Sequence, residues 1–299
     1  MTELLQHLVD GISQGAIYAL IALGYTMVYG VLQLINFAHG DVFMVGAMIG
    51  YYFARATGES SHPSVLGALG VTLVSMIGCG LIGFLIERIA YRPLRSAPRL
   101  NSLITAIGMS FFLEYGGQFA VGPNPRSATI LPTGGAVHFG GLSVGEADVI
   151  IVLSSAAMML ILQYIVFHTR MGTAMRAVSW NAQVASLMGV NIDLVISFTF
   201  VLGSVLAAVA GILYSAKYPK IDPLMGLMPG LKAFVAAVLG GIGNVPGAML
   251  GGLLLGLAEQ LVSGYVSSSW KDAVAFSLLI LILLVRPSGL LGRGTAEKV

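Results

Sequence analysis

Charge is what this sequence has least of. Lysine and arginine number 15 and aspartate and glutamate 13, so 9% of the 299 residues are charged, where a soluble domain averages about 25%. Such a chain has too few charged side chains to cover the surface of a water-soluble domain. The net charge of +2 provides no basic field for phosphates, which argues against nucleic acid as a partner. The hydrophobic fraction of 57% is too high for a disordered chain.

The motifs that usually carry chemistry are also missing. One cysteine, Cys79, cannot form an internal disulfide. None of the lysines follows a glycine, so the sequence has no phosphate-binding loop of the type G-x-x-x-x-G-K-[ST]. It has no H-E-x-x-H, no paired Cys/His set and no G-x-S-x-G turn. We therefore expect no catalytic residue, no metal ligand and no cofactor on this chain, and transport rather than catalysis.

Long apolar runs fill most of the chain instead. A membrane-spanning helix needs about 20 mostly apolar residues. Nine stretches qualify or nearly qualify: 11–31, 35–54, 64–87, 100–121, 148–168, 193–216, 230–243, 246–266 and 271–286. The sequence predicts an all-α polytopic membrane protein with about eight or nine transmembrane helices, forming a single domain over 1–299. The stretch 230–243 is short and ends in LGGIGN, so we expect a half-helix or a re-entrant segment there.

The arginines indicate the orientation. Four of them lie between the third and fourth apolar stretches: Arg88, Arg92, Arg95 and Arg99. Because short cytoplasmic loops are rich in lysine and arginine, this part is predicted to face the cytoplasm. Counting spans from it places the N-terminus and 122–147 outside, and 169–192 and the C-terminal tail inside. Three lysines argue against this orientation: Lys217, Lys220 and Lys271.

The first polar cluster lies in NFAHGD, at the start of the second apolar stretch. Asn36, His39 and Asp41 flank Gly40 there. One interpretation is an irregular helix start that lines the translocation pathway, because polar groups at membrane depth usually face protein or water. The other is an ordinary helix start at the interface, with Asn36 as the N-cap and Asp41 favoured by the helix dipole.

The second informative stretch, 234–256, is crowded with glycines. Gly247 and Gly251 have the small-x-x-x-small spacing that lets helices approach closely. Pro246 follows Asn244 and interrupts the helical pattern. We expect the translocation pathway where helices break or pack closely. Its candidate residues therefore include Gly240, Gly241, Gly243 and Asn244.

The third stretch, SWNAQVASLMG at 179–189, predicts a short helix between two spans. Ser179 or Asn181 can cap its start and Gly189 can end it, and Asp193 can cap the next span. Its residues Ala182, Ala185, Leu187 and Met188 predict a small apolar surface. One interpretation is an interfacial helix, and the other is a rigid knob that inserts into a cytosolic partner.

Three further charges lie within apolar stretches. Glu114 and Glu259 can line the pathway or bond to other helices, and Lys232 is expected to extend its ammonium group to the interface.

With these stretches the chain closely resembles the LivH-type permease subunit of bacterial branched-chain amino acid ABC transporters. The residues that carry the resemblance are YALIALGYTMVYG (18–30), INFAHGD (35–41), ERIAYRPLR (87–95), LITAIGMSFFL (103–113), FTFVLGSVLAAVAGIL (198–213), KAFVAAVLGGIGNVPGAMLGGLLLGLAE (232–259) and KDAVAFSLLILILLVRPSGLLG (271–292).

The resemblance implies a multi-pass protein of the bacterial inner membrane that imports leucine, isoleucine or valine. It implies a second, LivM-type permease, two cytosolic ATPase subunits that bind ATP and Mg²⁺, and a periplasmic amino-acid-binding protein. The helix at 179–189 then corresponds to the coupling helix that seats on an ATPase. The residues that match the family's pattern in that loop are Arg176, Asn181, Ala185 and Gly189.

Two alternatives stay open on sequence grounds. Relatives in this family carry urea or short-chain amides, so the substrate is not determined by the resemblance. A different class is a stand-alone ion-coupled transporter, with Asp41, Glu114 or Glu259 as ion sites. A stand-alone carrier would not need the proposed docking helix.

Overall fold

The described part of the chain is almost entirely helical. The computed structural model describes residues 2–95, 97–127, 130–132, 134–139 and 142–292. The elements are α1 (Thr2–Leu32), α2 (His39–Thr57), α3 (Val65–Ile86), α4 (Arg99–Val121), β1 (Ala136–Phe139), β2 (Leu142–Gly145), α5 (Glu146–His168), α6 (Arg170–Trp180), α7 (Ala182–Leu187), α8 (Ile192–Lys217), α9 (Leu227–Gly240), α10 (Val245–Tyr265) and α11 (Lys271–Val285). A π turn (Glu87–Tyr91) and a 3-10 turn (Arg92–Leu94) extend α3, and a 3-10 turn (Ser268–Trp270) precedes α11.

The membrane class is confirmed, but the count of eight or nine spans is not. Among the described residues, six helical segments are long and apolar enough to cross a bilayer: Thr2–Leu32, Val65–Leu94, Glu146–His168, Ile192–Lys217, Val245–Tyr265 and Ser268–Val285. Helices α2 and α4 have 19 and 23 residues but do not belong to this set. The short segment expected at 230–243 is present as α9, whose 14 residues rise only about 21 Å, less than a bilayer core of about 30 Å.

The bundle has two distinct ends. One, called the arginine end below, holds Arg92 and Arg95, which pair with Asp193 at the start of α8. At the opposite end the Lys217 ammonium lies 2.8 Å from Asp148 at the start of α5. There the β1–β2 hairpin, antiparallel with Ala136 opposite Gly145, covers the first turns of α1.

Helix α1 lies in the middle of the bundle and packs closely on α10. A Cβ atom added to Gly15 would lie 2.8 Å from the Cα of Leu253, and one added to Gly11 would lie 3.0 Å from the Cα of Leu257. On α10, Gly252 and Gly256 face the same seam. Without an apolar driving force between helices in lipid, such backbone approach supplies the dispersion contacts that hold them together.

A second seam joins α10 to α9 on its other side. Gly247 and Gly251, whose spacing predicts a close helix contact, lie against the backbones of Gly240 and Ala236. The opposite faces of α10 thus each carry a pair of glycines, one for α9 and one for α1. In contrast, the outer helices α3, α4, α5 and α11 expose large apolar side chains: Leu66, Ile77, Phe112, Phe119, Leu153 and Leu284.

The α1–α10 seam generates a stability prediction. We expect Gly15→Ala to lower the free energy of unfolding by about 1–3 kcal/mol, because the added methyl group would overlap the α10 backbone. The measurement is the melting temperature of the detergent-purified chain. Gly116→Ala on α4 is the matched control, since a Cβ there meets nothing within 4 Å. Equal melting temperatures for the two variants would contradict the close seam.

Candidate translocation and coupling sites

Helix α2 starts deep inside the bundle rather than at its surface. Its first residue, His39, lies against Gly24 of α1, eight residues before α1 ends at Leu32. At about 1.5 Å per residue, the start of α2 is therefore roughly 12 Å inside the end of α1. Residues 33–38, which contain no regular structure, run back from the arginine end to this depth.

Helix α9 also starts inside the bundle, but its chain comes from the opposite end. Ile221 pairs with Arg126 at that end, and the following residues lead inward to Gly226. A Cβ atom added to Gly230 would lie 2.9 Å from the Cα of Gly40. One added to Gly226 would lie 3.2 Å from the Cα of Asp41. The N-termini of α2 and α9 thus meet backbone to backbone in the interior.

The three polar residues of the 35–41 cluster are all buried around this junction. Asn36 accepts a hydrogen bond from the Tyr91 hydroxyl at 2.9 Å. The His39 ring packs edge to face on Tyr25, with ring centroids 4.9 Å apart, and its Nε2 has no hydrogen-bond partner in the described part of the chain. The interpretation in which Asn36 caps α2 is wrong, because the residue before that helix is Ala38 and Asn36 is bonded to Tyr91.

Two polar residues of α4, Ser110 and Glu114, lie next to Asp41. Its carboxylate accepts a hydrogen bond from the Ser110 hydroxyl, and Glu114 lies close enough for the two carboxyl groups to interact. Both acidic residues are buried, and Oε1 of Glu114 has no hydrogen-bond partner among the described residues. The partial positive charges of two helix N-termini, those of α2 and α9, favour a carboxylate at this depth. Asp41 is therefore at a helix start, as one interpretation expected, but not at the membrane surface.

A second buried polar group joins four helices. The Lys232 ammonium of α9 lies 2.8 Å from Glu259 of α10 and 2.7 Å from Asp272 of α11. The Tyr18 hydroxyl of α1 donates to Glu259 at 2.9 Å. Lys232 is buried and ion-paired rather than solvated, and its partner Asp272, in the first turn of α11, is half exposed. The ion pair with Lys232 balances the charge of the buried Glu259 carboxylate.

The glycine-rich turn at 240–244 is closed by the C-terminal segment. Gly241 and Gly243 have φ angles of +107° and +90°, which only glycine adopts readily. The amide groups of Leu290 and Leu291 donate to the carbonyls of Leu239 and Gly240.

Asn244 then starts the next helix. Its side chain accepts from Gly247 N at 3.1 Å, which caps α10, and donates to Leu291 O at 2.6 Å. The turn lies at the arginine end, with Gly243 next to Gly30. The structure brings the four candidates Gly240, Gly241, Gly243 and Asn244 together at the C-terminal end of α9, whose N-terminal end contacts Gly40 and Asp41.

The expected short helix at the arginine end is α7. Asn181 caps it by accepting a hydrogen bond from Val184 N at 3.0 Å, and Gly189 follows it with a φ angle of +83°. Ser179, the alternative cap, instead donates to the carbonyl of Gly30 on α1.

The apolar surface of this loop differs from the expected one. Ala185 is buried against the body of the protein and holds the loop to it. The large exposed side chains around α7 are Trp180, Val184, Leu187 and Met188. Arg176 donates to the carbonyl of Val166 and lies over the Phe167 ring, so its guanidinium secures the corner between α5 and α6.

An arginine–carboxylate network fixes the start of α8 next to this loop. Arg95 pairs with Glu87 and Asp193, and Arg92 pairs with Asp193 as well. Asp193 does not cap α8, contrary to expectation. Asn191 does so by accepting from Leu194 N at 3.1 Å. The side chains of two neighbouring loops are thereby linked.

Sequence reasoning missed Ser110, Tyr91 and the partners of Lys232. Ser110 lies four residues before Glu114, so both are on one face of α4. That spacing could have suggested a polar helix face at membrane depth. The pairing of Lys232 with Glu259 had a weaker signal, two opposite charges in adjacent apolar stretches.

The Lys232–Glu259 pair generates a second prediction. Lys232→Met would leave the buried Glu259 carboxylate without its cation, and we expect it to cost about 3–5 kcal/mol of stability. Adding Glu259→Gln to that variant should recover much of the loss, because the unpaired charge is then removed. Thermal unfolding in detergent measures both. Lys220→Met, at an exposed lysine, is the control; a double variant no more stable than Lys232→Met would contradict the pairing.

Known proteins resemble this chain over nearly its whole length. A family model described as the permease component of branched-chain amino acid transport systems matches residues 7–283. The permease protein LivH of a high-affinity branched-chain amino acid transport system in Salmonella typhimurium is 44% identical, over 99% of this chain and 97% of its own. The corresponding protein BraD of Pseudomonas aeruginosa is 44% identical over 99% of this chain and 98% of its own.

A more distant relative matches only part of the chain. The ribose import permease protein RbsC of Escherichia coli is 28% identical over 128 residues, which are 41% of this chain and 40% of its own. The likeness to the branched-chain amino acid permeases is thus both higher and more extensive. On this basis the chain belongs to the family of permease components of branched-chain amino acid transport systems.

Proposed function

We propose that this chain is the membrane permease subunit of an ATP-driven importer that moves branched-chain amino acids across the bacterial inner membrane. The observation that carries the proposal is the 44% identity to LivH and BraD, which extends through almost the whole of each protein. Leucine, isoleucine and valine are the substrates proposed. The arginine end then faces the cytoplasm, in agreement with the enrichment of arginine in short cytoplasmic loops.

The proposed complex contains three kinds of partner. A second, LivM-type permease shares the membrane, two ATPase subunits hydrolyse ATP with Mg²⁺ in the cytosol, and a periplasmic binding protein delivers the amino acid. The exposed apolar side chains of α7 support an ATPase contact, because nothing in the described part of the chain covers them. We assign Asn181 and Gly189 to shaping this coupling loop, and Ala185 and Arg176 to attaching it to the bundle.

For the pathway, we propose the junction of the α2 and α9 N-termini, with Asn36, His39 and Asp41. Irregular chain at membrane depth is tolerated only where it is buried in protein or lines a cavity. A cavity of about 390 Å³ opens at the arginine end next to residues 33–35, and Gln33 in its wall has a φ angle of +53°. Gly240, Gly241, Gly243 and Asn244 form the neighbouring turn at the same end, where they shape the rim of the pathway.

The test of the function is uptake by proteoliposomes. We expect radiolabelled leucine, isoleucine and valine to enter only when both permeases, the ATPases, the binding protein and ATP are present. Uptake of leucine by this chain alone, driven by an ion gradient without ATP, would favour the stand-alone carrier instead. Uptake of urea or short-chain amides but not leucine would contradict the proposed substrate.

In this assay Asp41→Asn should lower uptake about tenfold, a loss of ~1.4 kcal/mol, whereas Glu3→Gln should not.

The contact with the ATPase generates a separate prediction. Leu187→Arg places a charge on a side chain that is 85% exposed, so it should leave the fold intact while disrupting an apolar docking surface. Co-purification of the ATPase with the permease pair measures the contact, and at least a tenfold loss is expected. Leu4→Arg, at an exposed leucine of the opposite end, is the control. ATPase retained at the wild-type level by Leu187→Arg would refute the assignment of α7.

A further inference from the structure

A groove of about 490 Å³ runs between α3 and α8 at the arginine end. Its two halves differ in chemistry. At the mouth are the guanidinium groups of Arg88 and Arg92, on the turns that extend α3. The rest is lined by apolar side chains, among them Phe84, Phe198 and Val201.

The groove extends from the arginine end along the apolar part of α3 and α8. Val201 lies nine residues after the start of α8 at Ile192, which corresponds to a depth of roughly 13 Å at 1.5 Å per residue. Phe84 is two residues before the end of α3, and its side chain is partly exposed. The apolar half of the groove therefore lies at the depth of lipid acyl chains, and the basic half at the depth of headgroups.

At the mouth of the groove, one arginine, Arg88, has no carboxylate partner among the described residues. The Asp193 carboxylate is shared by Arg92 and Arg95, and Glu87 pairs with Arg95 and accepts from the Ser197 hydroxyl. Arg88 is exposed and forms no ion pair with any of the residues described. An anion that enters the mouth would meet an unpaired guanidinium and, beside it, Arg92 with part of its side chain still accessible.

We propose that this groove binds an anionic phospholipid. Its phosphate would accept hydrogen bonds from Arg88 and Arg92, because guanidinium groups match phosphate oxygens in charge and geometry. One acyl chain would lie along Phe84, Phe198 and Val201. Basic pockets between helices at the cytoplasmic face are suited to such headgroups, whereas a soluble phosphate would leave the apolar half empty.

A lipid bound in this groove would affect the structure next to the α7 loop. The groove wall includes Asn191, the cap of α8, which follows the α7 loop directly. A lipid bound there would brace the junction of α3 and α8 from the membrane side. It would do so next to the loop assigned to ATPase docking, without occupying α7 itself.

Native mass spectrometry of the purified permease tests the proposal. Phosphatidylglycerol, phosphatidylethanolamine and inorganic phosphate are added in separate titrations to wild type, Arg88→Gln and Arg170→Gln. Arg170 is an exposed arginine of the same end outside the groove, so its variant is the matched control. We expect phosphatidylglycerol to bind wild type and Arg170→Gln equally, and Arg88→Gln about fivefold more weakly, the effect of removing one arginine near an anionic headgroup.

Several results would overturn the proposal. They are equal binding of phosphatidylglycerol by Arg88→Gln and wild type, equal binding of phosphatidylethanolamine and phosphatidylglycerol by wild type, and adducts with inorganic phosphate as strong as those with lipid. Loss of ATPase co-purification in Arg88→Gln with unchanged lipid binding would identify the groove as a protein contact instead. The binding experiment requires no transport, so it stands or falls separately from the importer function.

Discussion

The structure depends on one contact, the approach of two helix N-termini inside the membrane. Gly40 at the start of α2 and Gly226 and Gly230 at the start of α9 lie backbone to backbone. A Cβ at any of these positions would meet main-chain atoms at 3.2 Å or less. Since the first turn of a helix leaves amide groups without intrahelical partners, two such starts are tolerable in a bilayer only where protein surrounds them.

The distribution of polar residues follows from this contact. Two helix N-termini create positive potential at one place, and Asp41 lies there with Ser110 and Glu114 around it. The cationic residue Lys232 belongs to a separate group, where Glu259 and Asp272 neutralise it. The buried cation Lys232 is thus paired with carboxylates. The buried carboxyl groups of Asp41 and Glu114 have no cationic partner among the described residues. Together with the irregular chain beside Asp41, that contrast favours Asp41 over Glu259 as a residue of the proposed pathway.

Much of the fold followed from local patterns in the sequence, and the exceptions have a common cause. Apolar length predicted the membrane class, and the short, glycine-rich 230–243 stretch predicted the incomplete span that α9 forms. Of the two candidate caps of α7, Asn181 is the cap and Ser179 is not, and the stop expected at Gly189 is present. Asn36 and Asp193 also have side chains suited to capping, but each bonds to a residue from a distant part of the chain. Asn36 accepts from Tyr91, and Asp193 accepts from Arg92.

The same distinction applies to the candidate sites. Sequence located the polar cluster around Asp41 and the loop around α7, because unusual residues in apolar surroundings are visible without a structure. It could not tell which side chain of the α7 loop is exposed: Ala185 faces the bundle and Leu187 faces out. The exposure of one face of a six-residue helix depends on how the loop docks, which no local pattern specifies.

Helix α8 connects the two proposed sites. It starts at Ile192, directly after the α7 loop, and is clamped there by Arg92 and Arg95 through Asp193. Gly203 lies eleven residues further along, beside the His39 ring. A Cβ atom added to Gly203 would lie 3.5 Å from the Cα of Gly24. A displacement of the loop by an ATPase would therefore act on a rigid helix whose middle touches the start of α2. Such a helix can transmit movement only if the two states of the junction differ in their contacts. A Cβ added to Gly203 would be at ordinary van der Waals distance from Gly24 and His39, so α8 passes close to the start of α2 and a shift of α8 would change the contacts there.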